Sequence, residues 1–149
     1  MRYDMRPPGL KALAIVVVFL VFGVSRSTPA ADDTLYHDLG EQAGISKIID
    51  FALTAWASDS RISDQFDNVR FDWFKGRLVA QFCELTGGPC KYPGRDMHAA
   101  HKGLHLDTAQ FNALVEDLQS AMDQAGIPFW TQNRLLALLA PMKRQIVTR

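Results

Sequence analysis

The sequence predicts an all-α domain, and three observations carry that expectation. Beyond residue 31, apolar residues recur at spacings of three and four. No stretch alternates apolar and polar residues as a half-buried strand would. The links between periodic stretches are short and punctuated by glycine and proline, too short for long crossovers. Four longer helices and several short ones, forming one domain over residues 32–149, account for the pattern.

The first thirty-one residues stand apart. Arg2, Arg6 and Lys11 make a basic start, Ala12 to Val24 is an unbroken apolar run, and Thr28-Pro29-Ala30-Ala31 ends it with small residues. Thirteen helical residues reach only about 20 Å at ~1.5 Å each, short of the ~30 Å hydrocarbon core of a bilayer. Residues 1–31 are therefore expected to be a secretory signal peptide cleaved near Ala30 or Ala31, the alternative being an uncleaved anchor. Export, in a bacterium to the periplasm, follows from that expectation, and a membrane partner only if the leader stays attached.

Each element of the domain has its own local reason. Thr34 to Leu39 is a short helical piece stopped by Gly40. Ile45, Ile48, Ile49, Ala52, Leu53 and Trp56 form one stripe and predict a helix over roughly Gly44 to Ala57. Asp59 to Phe66 reads as a turn or short helix. Phe71, Phe74, Leu78, Phe82 and Leu85 then form a second stripe, which Gly87-Gly88-Pro89 must end. Asp96 can cap a very short helix carrying Met97 and His101, closed by Gly103. Asp107 with Gln110 is a capping box opening a helix with Phe111, Leu114, Leu118 and Met122 on one face. Gly126 and Pro128 break it. The last helix is expected over Thr131 to Val147, kinked at Pro141.

Residues 32–149 carry 12 basic and 15 acidic side chains and no basic run, which argues against nucleic acid as a partner. Cys83 and Cys90 are the only cysteines. An oxidising compartment permits their pairing, and so short a closed loop adds about 2.5 kcal/mol of unfolded-state restriction. Neither CxxC nor CxxCH spacing occurs, so a cysteine metal site and a covalently attached c-type haem are not indicated.

Four histidines are present, His37, His98, His101 and His105. The last three have i, i+3, i+7 spacing, but Gly103 interrupts the helix a trihistidine metal site would need. His101 is different, because Met97, Ala100 and Leu104 can place it on an apolar side. It is either a buried, satisfied imidazole in a cofactor-free helical module or an axial ligand to haem. For haem, Phe66, Phe74, Leu78, Phe82, Phe111 and Leu114 can supply a flat apolar slot, with Arg77, Arg95 and Tyr92 at a polar edge for the propionates.

The order of the residues separates these readings. Leu35-Tyr36-x-x-Leu39-Gly40 and Gly87-Gly88-Pro89-x-x-Tyr92-x-Gly94-Arg95-x-Met97-x-x-x-His101-x-Gly103 resemble the opening helix, the loop and the proximal helix of the group I truncated haemoglobins, and the resemblance spans residues 34–147. It implies a truncated globin, a two-over-two helical sandwich around haem b. It puts His101 at the proximal iron ligand and Phe66 against the haem face. Leu53, Phe74 and Leu78 fall on the distal side, Arg77 near a propionate, Tyr92 and Met97 among the loop and short-helix contacts, and Phe111 and Leu114 on the proximal wall. The implied partner is a diatomic gas (oxygen, nitric oxide or carbon monoxide) at a five-coordinate iron, with an unidentified electron donor. Turnover of nitric oxide or peroxide is the enzymatic alternative, and a haem-free helical interaction domain the structural one.

The chain departs from that pattern on the distal side. Leu53 and Leu78 stand where the family has a tyrosine and often a glutamine, and Phe74 adds no donor. The only nearby amide, Gln81, lies three residues beyond Leu78. The first turn reads Gly40-Glu41 where two glycines are frequent.

Overall fold

The first corner of the domain depends on a close backbone approach. In the computed structural model, which describes residues 34–149 and so leaves the leader expected over residues 1–31 outside the described residues, α1 (Thr34–Asp38) meets α2 (Glu41–Ser58) through Gly40. Gly40 takes a left-handed φ of 80°, and Glu41 follows at 58°. A left-handed backbone costs a side-chain-bearing residue about 1 kcal/mol, so the glycine-to-glutamate departure at residue 41 carries strain. Gly44 is required for a different reason: a Cβ there would lie 2.0 Å from the Leu39 carbonyl oxygen.

α2 begins three residues before the expected Gly44, because the turn already supplies helical hydrogen bonds, Gly44 N–H donating to the Gly40 carbonyl at 2.8 Å. Its buried stripe is the one read from spacing: Ile45, Ile48, Ile49, Ala52, Leu53 and Trp56. A short 3₁₀ turn, Ser63–Phe66, leads to α3 (Phe71–Leu85). α3 ends at Gly87-Gly88-Pro89, and the Cys83–Cys90 disulfide ties its last turn to the following loop, with Cα atoms 5.7 Å apart. Gly88 sits so tightly there that a Cβ would meet the Tyr36 ring at 2.6 Å and Cys83 Sγ at 2.7 Å.

α4 (Met97–His101) is capped by Asp96, whose carboxylate accepts from the Ala99 N–H at 2.9 Å. α5 (Thr108–Ala125) opens on the Asp107–Gln110 capping box and ends at Gly126 with φ 80°. The last segment differs from the single kinked helix expected over 131–147. α6 runs Phe129–Leu139 after Pro128, Ala140–Met142 is a 3₁₀ turn, and α7 is Lys143–Ile146. Pro141 lacks the N–H a continuous helix needs and its ring opposes the carbonyl four residues back, so the helix breaks rather than bends.

α2 packs with α3 and lies across α5, which packs with α6, giving the two-over-two helical sandwich; α4 packs against α7. All regular structure among the described residues is helical. Leu118 and Met122 of α5 and Leu135 of α6 are buried against the α2 stripe, each contributing about 1.5–3 kcal/mol of apolar burial. Trp56 pins α2 to α5 by donating from Nε1 to the Leu114 carbonyl at 3.1 Å. No helix among the described residues is long and apolar enough to cross a membrane.

Candidate functional site

The site is built between α3 and α4, which the disulfide-closed loop joins. Met97 and His101 lie one turn apart on α4 and are both half-buried, while His98 and Lys102 are exposed. His101 Nδ1 is 2.8 Å from the Met97 carbonyl oxygen. A carbonyl can only accept, so Nδ1 carries the proton, and the neutral ring has its lone pair on Nε2. That is the tautomer a metal ligand needs.

On α3, Phe74 and Leu78 are half-buried and one turn apart. Phe66 lies parallel to the Trp56 indole at 5.9 Å between centroids and tilted against Phe74 at 6.1 Å. Leu53 is buried on α2, and Leu114 and Phe111 are half-buried on α5. These side chains offer aromatic and aliphatic surface from three helices. Phe82 is 4% exposed and belongs to the buried core with Val79 and Cys83.

The polar edge gathers around the loop. Arg77 donates from Nη1 to the Pro93 carbonyl and lies 4.8 Å over the Trp73 ring. Glu84 accepts from the Tyr92 N–H at 2.9 Å and pairs with Lys91 at 3.3 Å. The Tyr92 amide first, then Lys91, hold the Glu84 carboxyl below the usual glutamate range. Gly94 gives Tyr92 its place, since a Cβ would fall 2.0 Å from the ring. A cleft of about 270 Å³ runs along this edge, lined by Gln81, Tyr92, Arg95, Met97 and Met142 among others. A second, of about 300 Å³, separates α5 from α6 at Phe111, Val115, Leu136 and Leu139.

Two features escape the reading from sequence. Gln81 is buried, and its Nε2 lies 3.4 Å from Met97 Sδ and 4.0 Å from Met142 Sδ, so its amide reaches across to α4. Its i+3 spacing from Leu78 and i+7 from Phe74 was the available signal. Met142 arrives from the far end of the chain, and nothing local announces it. His98 and His105 are exposed, His105 with a left-handed φ of 52°. Among the described residues, no group of three histidines, cysteines or carboxylates is set to hold a metal.

A helical sandwich of this order, with a five-residue helix carrying one half-buried imidazole, defines a globin of the abbreviated, two-over-two class. The chain belongs to the bacterial-like globin family, whose pattern matches residues 34–148, and within it to the group 1 truncated haemoglobins. It is 25% identical over 125 residues to the group 1 truncated hemoglobin GlbN of Mycolicibacterium paratuberculosis, covering 84% of this chain and 92% of that protein. It is 29% identical over 116 residues to the GlbN of a Nostoc species, covering 78% and 98%. The truncated hemoglobin of Tetrahymena pyriformis in its Fe(III) form superposes with a TM-score of 0.74 at 23% identity, covering 77% of this chain and 98% of that one. Membership brings haem as cofactor and haem-based gas binding in general.

The residues present fit such a group. An imidazole whose Nδ1 is bonded to the Met97 carbonyl, leaving Nε2 to ligate, half-buried apolar side chains from α3 and α5, and arginines beside the loop are the donor set that haem requires.

Proposed function

We propose that this protein is an exported b-type haem protein that binds a diatomic gas, with His101 Nε2 as the iron's one protein ligand. The observation that carries the reading is the His101 Nδ1–Met97 carbonyl hydrogen bond, which orients the ring and commits its tautomer before any metal binds. Haem supplies the iron at which a gas binds. The chain does the rest. Phe66 and Phe74 would pack against the macrocycle, with Leu78, Phe111 and Leu114 closing the slot, Phe82 backing it from the core, and Met97 contacting it from α4. Arg77, Arg95 and Tyr92 face the propionates, and Arg77 keeps N–H groups beyond the one given to Pro93.

Leu53, Phe74 and Leu78 give the distal side no hydrogen-bond donor. A ligand polarised on binding, as oxygen is, loses about 1–3 kcal/mol of stabilisation, or roughly one to two orders of magnitude in affinity. Carbon monoxide and nitric oxide lose less, so selectivity moves towards them. The same wall removes the support that turnover of nitric oxide by held oxygen requires. Export is supported by the leader over residues 1–31 and by the Cys83–Cys90 disulfide, a bond that persists in oxidising compartments.

The test is an absorption spectrum of the protein expressed with ample haem, taken oxidised, reduced and with carbon monoxide. A Soret band that shifts on reduction and again with carbon monoxide, and that is lost or altered in His101→Ala, is the expected result. A wild type without the band, or a variant with an unchanged one, overturns the proposal.

A further inference from the structure

The charges of the domain are unevenly placed. Residues 34–149 hold twelve basic and thirteen acidic side chains. Segments 97–106 and 140–149 hold four of the basic residues, Lys102, Lys143, Arg144 and Arg149, and none of the acidic ones. The fold brings these two segments together. α4 packs against α7, and the N–H groups of Thr148 and Arg149 both donate to the Leu106 carbonyl, at 2.9 and 3.3 Å. None of the four forms an ion pair with a described residue, whereas Arg61, Lys75, Lys91 and Arg134 do. Lys102, Arg144 and Arg149 are exposed, as are His98 and His105. Lys143 lies 5.5 Å over the Phe111 ring.

We infer that this basic face is the docking surface for an acidic one-electron carrier protein, which reduces the haem iron through α4. The inference rests on the haem reading above. A net positive face on an otherwise acidic domain steers an anionic partner towards one side. That side carries His101 on α4, a helix only five residues long, so the partner approaches through the element that holds the iron's own ligand. Leu104, two residues from Lys102 and 45% exposed, supplies apolar contact on the same segment. In the step itself one electron passes from the carrier, which is oxidised, to ferric iron, which becomes ferrous. No bond forms or breaks and no proton moves.

The test uses the full-length, haem-loaded protein and two small reductants of opposite charge, the sulfur dioxide radical anion from dithionite and hexaammineruthenium(II). Between about 0.01 and 0.1 M ionic strength the screening length falls from ~30 to ~10 Å. The rate with the anion falls roughly threefold and the rate with the cation rises, although the full-length chain is formally neutral and its net charge dictates neither slope. The double variant Lys102→Glu/Arg144→Glu reverses both slopes and leaves the Soret band unchanged. A second arm titrates isotope-labelled protein with an acidic plant-type ferredoxin and reads backbone amide shifts, which are expected at residues 97–106 and 140–149. Wild-type slopes that follow net charge, or slopes untouched by the double variant, overturn the inference. So do ferredoxin shifts elsewhere, or binding to phosphatidylserine vesicles with no ferredoxin binding. A protein without a Soret band fails the haem reading instead, while the amide shifts still report on the face.

Discussion

Glycine at position 44 illustrates how much a single absent side chain can decide. Gly44→Ala puts a methyl 2.0 Å from the Leu39 carbonyl oxygen, a backbone atom that cannot turn aside. The corner between α1 and α2 must open, at a cost of several kcal/mol, roughly the range of a severe overpacking. Gly76→Ala meets nothing within 4 Å on exposed α3 and stabilises by about 1 kcal/mol through helix propensity. Thermal unfolding of the two variants reads both signs. On the gas-binding side, Leu53→Tyr adds a phenol to the distal wall, and slower oxygen release is the expected outcome, by about tenfold for one hydrogen bond. An already slow wild type, timed by stopped flow, refutes the hydrocarbon distal wall. The short helix that carries His101 was legible in the sequence because Asp96 caps it locally and Gly103 closes it. Gln81 was not, because its amide is positioned by Met97 and Met142, which are 16 and 61 residues away.

At the scale of elements, the α3–loop–α4 unit is held by covalent and electrostatic means together. Reducing Cys83–Cys90 should cost about 2.5 kcal/mol by the loop-length relation. Glu84 adds a pH-dependent contribution, since the Tyr92 amide and Lys91 depress its pKa in the folded state. A depressed carboxyl contributes stability that is present above its unfolded value of 4.5 and is lost as pH falls through the lower folded value. Glu84→Gln removes that dependence, so its unfolding free energy should approach that of the wild type below about pH 4 and fall short of it at pH 7. A difference that stays constant across this range would deny Glu84 the role. Most elements were legible for local reasons: the α2 stripe, the Asp107–Gln110 box and the Gly87-Gly88-Pro89 stop are each contained within one turn or one helix, whereas of the stripe expected on α3 only Phe82 is buried and Phe71 is exposed. The C-terminal segment was read less well, because apolar spacing continues through Pro141 while the hydrogen-bond ladder does not.

The whole molecule places its stability and its proposed function in the same space. Leu53, buried on α2, belongs to the core and, on the proposed reading, also to the distal wall. Phe66, Phe74, Leu78 and Leu114 pack against that core yet keep a half-exposed side, and α4 leans chiefly on α7, touching α3 where Gln81 meets Met97. A ligand that fills the slot binds the folded chain and not the unfolded one, so it stabilises the fold by mass action, by about 4 kcal/mol when free haem exceeds its dissociation constant a thousandfold. Removing haem by acid–butanone extraction should therefore lower the melting temperature, by about 10 °C or more for a domain of this size. The loss should fall unevenly. Amide hydrogen exchange in the haem-free protein should accelerate most in α4 and α7, whose main packing is against each other, and least in α2 and α5, whose contact is the buried core. Uniform acceleration would mean that α4 is held by the core directly rather than through α7.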